Sequence, residues 1–399
     1  MKLNFLSQFI FRANPGYQLI ESGNLNRPEQ DALAGLLNDT EVFGIFKPAE
    51  SREDSSYKLA YKEIALLFYA LQQPGKLPLY LRNSFDDDIN ATLAKLVLEG
   101  IFEIEHDDRF VSGSAAQEIL YTSQHRYGNI LNDGIAGLST NAIQYGLHLN
   151  QLDVRSVASR LYCYNTLPLT REKENLFLQV EDVEAFLRVG KNDPLAWEME
   201  KHWDKHLPTE KYHWIAWNRK KQARRHQAED AVYKIYISPV LHDFPEVFRK
   251  TVRVLTQSKA FSFKTGTDRH GLLRPDKFVT YFHSLEDLGH ASIMLKEELA
   301  DYQAQGVPFT AQLHDKGMIS WGIDPANKDV LENFEGGSWR ASVSEKLASA
   351  IVQAKGEGLA KDKALEFVLN KISLEGIDPI NWIPASKTTR AEPQLIETT

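Results

Sequence analysis

Between Tyr233 and Arg340 the chain repeats one device, a short apolar run with Lys, Arg or Tyr set into or beside it. The runs are KIYIS (Lys234–Ser238), SFK (Ser262–Lys264), LRPDKFVTYF (Leu273–Phe282), VPFTAQL (Val307–Leu313) and GSWR (Gly337–Arg340). Most of them alternate, and alternation on a strand sends successive side chains to opposite faces. Lys234, Tyr236 and Ser238 then share a face with Ile235 and Ile237 behind them. Lys264 shares a face with Ser262, opposite Phe261 and Phe263, and Tyr281 shares one with Lys277, opposite Phe278, Thr280 and Phe282. Arg274 precedes Pro275 and is expected to be extended, at the mouth of any site these strands build. If the strands are neighbours, Lys234, Tyr236, Lys264 and Tyr281 can converge. Such a face suits a phosphorylated or otherwise anionic substrate.

The 399 residues are enough for two or three domains. A net charge of −8 argues against nucleic acid as the main partner. No apolar run approaches the ~18 residues of a membrane span, and LNFLSQFIF near the N-terminus reads as buried structure rather than a signal peptide. A single cysteine, Cys163, leaves no intrachain disulfide and no cysteine metal cluster, which fits a reducing, cytoplasmic location.

The expected fold class is α+β: an N-terminal winged-helix-like domain, a helical middle region and a C-terminal antiparallel-sheet domain. In residues 1–125, strands are expected at Tyr17–Ile20 and Val42–Phe46. A helix should follow on Tyr61, Ile64, Ala65, Phe68 and Leu71, then a short piece at Leu77–Asn83 and a helix ending at Gly100. IFEIE, HDD and RFVSG then form a hairpin. That order resembles the winged-helix recognition elements of ribosomal-peptide modifying enzymes, with LAKLVLEGIFEIE as the strongest segment. The resemblance implies leader-peptide binding.

Residues 126–230 read as helical and aromatic-rich, with a basic cluster at Lys211, Arg219, Lys220, Lys221, Arg224 and Arg225 expected on a solvated helix face. His202 and His206 have the spacing of a metal pair on a helix, but no third ligand is placed with them, so no metal and no cofactor are expected. Residues 231–385 hold the alternating strands. They also hold helices lined by Phe244, Phe248, Val252 and Leu255 and by Leu288, Ala291, Leu295, Leu299 and Tyr302, with a closing helix near Val343–Ala354. Residues 386–399 read as a disordered tail. GTDRHG (Gly266–Gly271) lacks the ending of a P-loop, and no kinase or Gly-x-Ser-x-Gly motif is present.

Several motifs come in a fixed order: Lys264; Arg274, Asp276, Val279 and Tyr281 as R-x-D-x-x-V-x-Y; Pro308-Phe309-Thr310; Gly317 with Asp324-Pro325; and Ser338-Trp339-Arg340. With the YNTLP segment at Tyr164, this order resembles the Hop-type type III effector family. It is also similar to the phosphothreonine lyases and the lyase components of class III and class V lanthipeptide synthetases. The resemblance implies β-elimination of phosphate from phosphoserine or phosphothreonine. It makes Lys264 the base, Lys234 the enolate stabiliser, Arg274 and Arg340 the phosphate clamp, and Tyr281 a pocket or proton-transfer residue. It further implies a phosphorylated precursor peptide as partner, a separate kinase, with or without a cyclase, and neither nucleic acid nor membrane. The lyases carry a histidine general acid where this chain has Tyr236. The acid is then Tyr236, Tyr281 or His270, or the domain is a silent peptide-binding scaffold. An effector-like lyase acting on a folded protein is the other alternative.

Overall fold

The computed structural model describes residues 6–32, 39–49, 58–78, 89–121, 134–150, 153–171, 173–209, 214–220, 232–313, 316–324 and 338–385. Contacts divide the chain into two compact units. Residues 1–127, 331–333 and 350–375 form the first, and 128–330, 334–349 and 376–399 form the second. The protein is α+β.

The first unit contains β1 (Ile10–Ala13), β2 (Tyr17–Glu21), α1 (Arg27–Ala32), β3 (Val42–Pro48), β4 (Lys58–Tyr61), α2 (Lys62–Ala70), β5 (Gly75–Lys76), α3 (Ile89–Leu98), β6 (Phe102–His106), β7 (Arg109–Val111) and α4 (Gln117–Leu120). They form sheets of order β5-β1-β6-β7 and β2-β3-β4. The hairpin expected after α3 is present. Asp107 and Asp108 both take positive φ (47° and 58°), the two-residue turn whose twist matches that of the flanking strands. Gly100, at φ 78°, closes α3 in the left-handed conformation. Of the short piece expected at Leu77–Asn83, residues 79–83 lie outside the described residues.

The second unit contains α5 (Gly134–His148), α6 (Val154–Tyr162), α7 (Val180–Leu187), α8 (Pro194–Met199), β8 (Trp203–His206), β9 (Trp214–Arg219), β10 (Tyr233–Ile237), α9 (Phe244–Gln257), β11 (Ser262–Gly266), α10 (Arg269–Leu273), β12 (Phe278–Phe282), α11 (Leu285–Glu298), β13 (Ala311–Gln312) and β14 (Ile319–Ile323). Helix α12 (Trp339–Gly356) follows, its residues to 349 in the second unit and those from 350 in the first, and α13 (Lys361–Leu374) belongs to the first unit. A seven-stranded sheet runs β13-β14-β10-β12-β11-β9-β8, antiparallel at every pairing. Trp217, Ile235, Phe263 and Phe278 project from one face into a core with Phe248 and Val252 of α9 and Leu288 and Leu295 of α11. The Trp217 and Phe263 rings stack at 5.1 Å, as do Phe248 and Phe278 at 5.0 Å. Each such side chain contributes roughly 1.5–3 kcal/mol by burial, so this face anchors the sheet.

Several expectations are corrected. Trp203–His206 and Trp214–Arg219 form a strand pair rather than helix, because WIAWNR alternates: Ile215 and Trp217 enter the core while Trp214 and Ala216 face the other way. His202 and His206 therefore do not share a helix face. Arg219 is not on a solvated helix either. It donates to the carbonyls of Leu255, Ser258 and Ala260 and caps the C-terminus of α9. Lys211, Lys221, Arg224, Arg225 and the tail from residue 386 lie outside the described residues. VPFTAQL yields strand only at Ala311–Gln312, since Phe309 adopts φ 63°, which no strand tolerates. That conformation is held from three sides. Phe309 N–H donates to Ser139 Oγ, its carbonyl accepts from Trp339 Nε1, and its ring meets Trp382 edge-on at 5.2 Å. The closing helix starts at Trp339, a turn before Val343, and α13 carried no expectation.

Candidate active site

On the face opposite the aromatic core, strand pairing sets two rows of side chains across β10, β12 and β11. Lys234 lies opposite Tyr281, which lies opposite Ser262; one step along, Tyr236 lies opposite Val279, which lies opposite Lys264. These rows floor a cleft of about 290 Å³, counting the space at its open mouth. Its lining is Tyr162, Trp214, Lys234, Tyr236, Lys264, Asp276, Val279, Tyr281, Ser338 and Arg340. Lys234, Tyr236, Lys264, Tyr281 and Arg340 are therefore brought together. Arg274 stands beside them, its guanidinium 5.6 Å from the Trp214 ring centre, while the Lys264 amine lies 4.3 Å from the same ring. His270 is exposed on α10 and does not line the cleft.

Close backbone contacts bring the outer members in. Gly322 lies opposite Lys234 on β14, and a Cβ there would sit 2.8 Å from the Trp339 ring. The missing side chain lets the indole lie on the sheet and carries Arg340 to the cleft. Gly266 and Gly271 approach so closely that a Cβ on either would meet the other's backbone at 2.6 Å. This folds α10 onto the end of β11, and Arg274 follows α10 with extended backbone, as expected before proline.

Two carboxylates contact Lys234, Arg274 and Arg340. Asp324 Oδ2 lies 2.6 Å from Lys234 Nζ, and its Oδ1 accepts from Trp339 N–H at 3.2 Å, tying β10 to the start of α12. Asp276 is buried between both arginines. Arg274 donates to it through Nε and Nη2, each at 2.8 Å, and Arg340 Nη1 lies 2.7 Å away as an ion pair. That last contact is close but not aligned as a hydrogen bond. Arg340, 1% exposed, also donates to the carbonyls of Pro308 and Tyr162. Counting Lys234, Lys264, Arg274 and Arg340 against Asp276 and Asp324, the group carries two more positive than negative charges with all six ionised.

Protonation follows from these neighbours. Burial, then the nearby Lys234 charge, lowers the Lys264 amine to about 8. Burial opposes ionisation of Asp276, but Arg274 and Arg340 outweigh it and hold the carboxyl well below its usual range. Burial likewise opposes the Arg274 cation, and Asp276 reverses the balance, so the guanidinium stays charged. Tyr236 is 3% exposed, and burial followed by the Asp324 charge raises its phenol well above the ordinary value.

Trp214, Tyr162, Asp276 and Asp324 carried no site assignment from sequence. Asp276 and Asp324 stood inside the quoted motifs, and alternation in WIAWNR could have exposed Trp214 had it not been read as helix. A lysine with a lowered proton affinity beside a second ammonium and two guanidiniums can remove a weakly acidic proton and accept the negative charge that develops.

No protein-family model matches the chain, and no curated protein matches its sequence. Among solved structures it is similar to an effector protein from Pseudomonas syringae pv. tomato strain DC3000, at 14% identity over 61% of this chain and 96% of that one, TM-score 0.36. It is also similar to the type III effector/phosphothreonine lyase OspF from Shigella flexneri, at 14% identity over 34% of this chain and 80% of that one, TM-score 0.27. A third is the Chromobacterium violaceum VirA (SpvC) phosphothreonine lyase effector protein, at 12% identity over 49% of this chain and 91% of that one, TM-score 0.29.

Proposed function

We propose that the chain is a phosphoserine/phosphothreonine lyase that eliminates phosphate from a ribosomal precursor peptide, giving dehydroamino acids in a lanthipeptide-type maturation in the cytoplasm. The observation that carries the reading is the placement of Lys264, an amine lowered to about 8, in one cleft with Lys234 and Arg340 and beside Arg274.

The neutral Lys264 amine takes the α-proton, and the C–H electrons become the Cα=Cβ bond. The Cβ–O bond breaks, and its electrons leave with the phosphate. Lys234 donates to the carbonyl oxygen of the reacting residue as enolate charge develops, its own ammonium oriented by Asp324. Arg274 receives the phosphate. Arg340, with its donors turned to Pro308, Tyr162 and Asp276, contributes charge and fixes Asp276. Tyr236 keeps its proton and serves as a hydrogen-bond donor to the leaving oxygen. Tyr281 spans the two lysines, with their amines 5.3 and 5.6 Å from its ring centre. A separate kinase supplies the phosphopeptide, and any ring closure belongs to a cyclase. The first unit grips the leader as a winged-helix-like module, which raises the effective concentration of core residues at the cleft.

The test is mass spectrometry of a leader–core peptide treated with kinase and this protein. Loss of phosphate with formation of a dehydro residue is expected from wild type and not from Lys264→Ala. Equal elimination by the variant would remove Lys264 from the chemistry. Tyr236 favours a second reading, since a phenol this reluctant to ionise is a poor general acid: a scaffold that holds phosphopeptide without turnover. Binding without elimination by wild type would select it. An effector-like lyase acting on a folded phosphoprotein predicts no binding in a leader-peptide titration.

A further inference from the structure

Rings and cations alternate around the cleft. Arg340 and Arg274 lie 4.8 and 4.9 Å from the centre of the Tyr162 ring. Arg274 and Lys264 lie 5.6 and 4.3 Å from Trp214, and Lys264 and Lys234 lie 5.6 and 5.3 Å from Tyr281. The order is therefore Arg340, Tyr162, Arg274, Trp214, Lys264, Tyr281, Lys234. Each distance is within the ~6 Å over which a ring face attracts a cation. The two outer rings join like members, arginine to arginine and lysine to lysine. Trp214 joins the lysine pair to the arginine pair.

We infer that Trp214 is a positioning residue acting at both ends of the proposed elimination, its indole holding the Lys264 amine at the α-carbon and the Arg274 guanidinium at the phosphate. This rests on the lyase reading. The indole stands at the start of β9, opposite Gly266, with Ala216 opposite Lys264, so no bulky β9 side chain lies between ring and amine. Like charges brought together in a partly buried hollow repel, and a ring between them favours both while occupying space water would fill. Asp276 and Asp324 compensate Arg274, Arg340 and Lys234 by direct contact. The groups whose charge acts on Lys264 include Lys234 of β10, Asp276 and Arg274 before β12, and Asp324 after β14. Tyr236, Tyr281, Arg340 and Tyr162 complete the titratable and charged lining around it.

The experiment compares wild type, Trp214→Leu and Trp214→Phe in three measurements. They are titration of ζ-¹⁵N-lysine by NMR, calorimetric binding of inorganic phosphate, and kcat and KM on the phosphopeptide. Leu keeps the wall apolar and removes the ring, so the Lys264 midpoint falls by about one pH unit and phosphate binds roughly three- to tenfold more weakly. The kcat falls along with the rise in KM, and the rising, acid-side limb of kcat/KM shifts to lower pH with the lysine. Phe retains a ring and restores most of each loss. A structural role alone predicts a lower melting temperature with midpoint and phosphate affinity unchanged, and that result overturns the inference. Should Trp214→Leu not fold, Trp214→Phe carries the test, with a smaller shift in the same direction expected and no shift counting against it. Absence of elimination by wild type sinks the lyase reading, and the titration and phosphate arms still judge Trp214.

Discussion

Lys58 in the first unit and Lys264 in the second have the same lowered proton affinity, each at about 8, and for the same leading reason, burial. Their surroundings differ. The Lys58 amine donates to the Glu99 carbonyl and lies 4.0 Å from the Glu99 carboxylate. Its neighbours are similarly closed off: Lys95 pairs with Glu375 at 3.1 Å, and the buried Lys371 donates to Gln353 Oε1 at 2.7 Å. Within the first unit these lysines pin β4, α3, α13 and the end of α12 from residue 350 together. Lys264 lies against two aromatic rings in an open cleft, with a second ammonium near and an arginine across the indole. A lowered lysine is thus not a mark of chemistry by itself. A hollow that a substrate can reach, and cations placed to meet developing charge, separate the two cases.

Replacement of each lysine gives the largest expected contrast. Lys264→Ala should lower elimination by on the order of 10²–10⁴-fold or more, as loss of a general base does. Lys58→Met should leave turnover per folded molecule unchanged, and a matched loss in both would dissolve the distinction. Next in size is Asp276→Asn, which leaves two guanidiniums, one of them fully buried, without their carboxylate. Breaking such a pair costs about 3–5 kcal/mol, read as a lower urea midpoint. A smaller cost, about 1–3 kcal/mol, is expected from Gly322→Ala, whose methyl would meet the Trp339 ring at 2.8 Å. An unchanged unfolding midpoint would show that the indole can withdraw without loss.

The pH dependence sharpens the comparison further. The amine of Lys264 is lowered, so it loses its proton as pH rises through about 8, and only the neutral form is a base. Rates at pH below 8 should climb roughly tenfold per unit, with kcat/KM levelling above that value. A profile flat from pH 6 to 9 would break the assignment of Lys264 as base. Lys58 passes through the same range, but its titration should appear only in stability. Its folded value lies below that of the unfolded chain, so its contribution to stability rises with pH between about 8 and the unfolded lysine value.

Period-two alternation was enough to sort each strand's residues between two faces, because the geometry that alternates side chains acts over adjacent residues. Ile235 and Ile237 against Lys234 and Tyr236 could be separated on sequence alone, as could the core faces of α9 and α11 and the turn at Asp107–Asp108. Alternation in WIAWNR was equally present, but the tryptophans and lysines around it gave a helical reading that hid Trp214. Neighbour choice was another matter. Strand β10 pairs with β12 and β14 while β11 reaches β9, and no local pattern encodes which edges meet. Pairing is settled by burial of the whole aromatic face against α9 and α11, a contact among residues far apart in the chain. Only that packing brings Asp276 between two arginines and one indole between Lys264 and Arg274. The sequence by itself determined which groups face away from the core; the tertiary structure decided that they face one another.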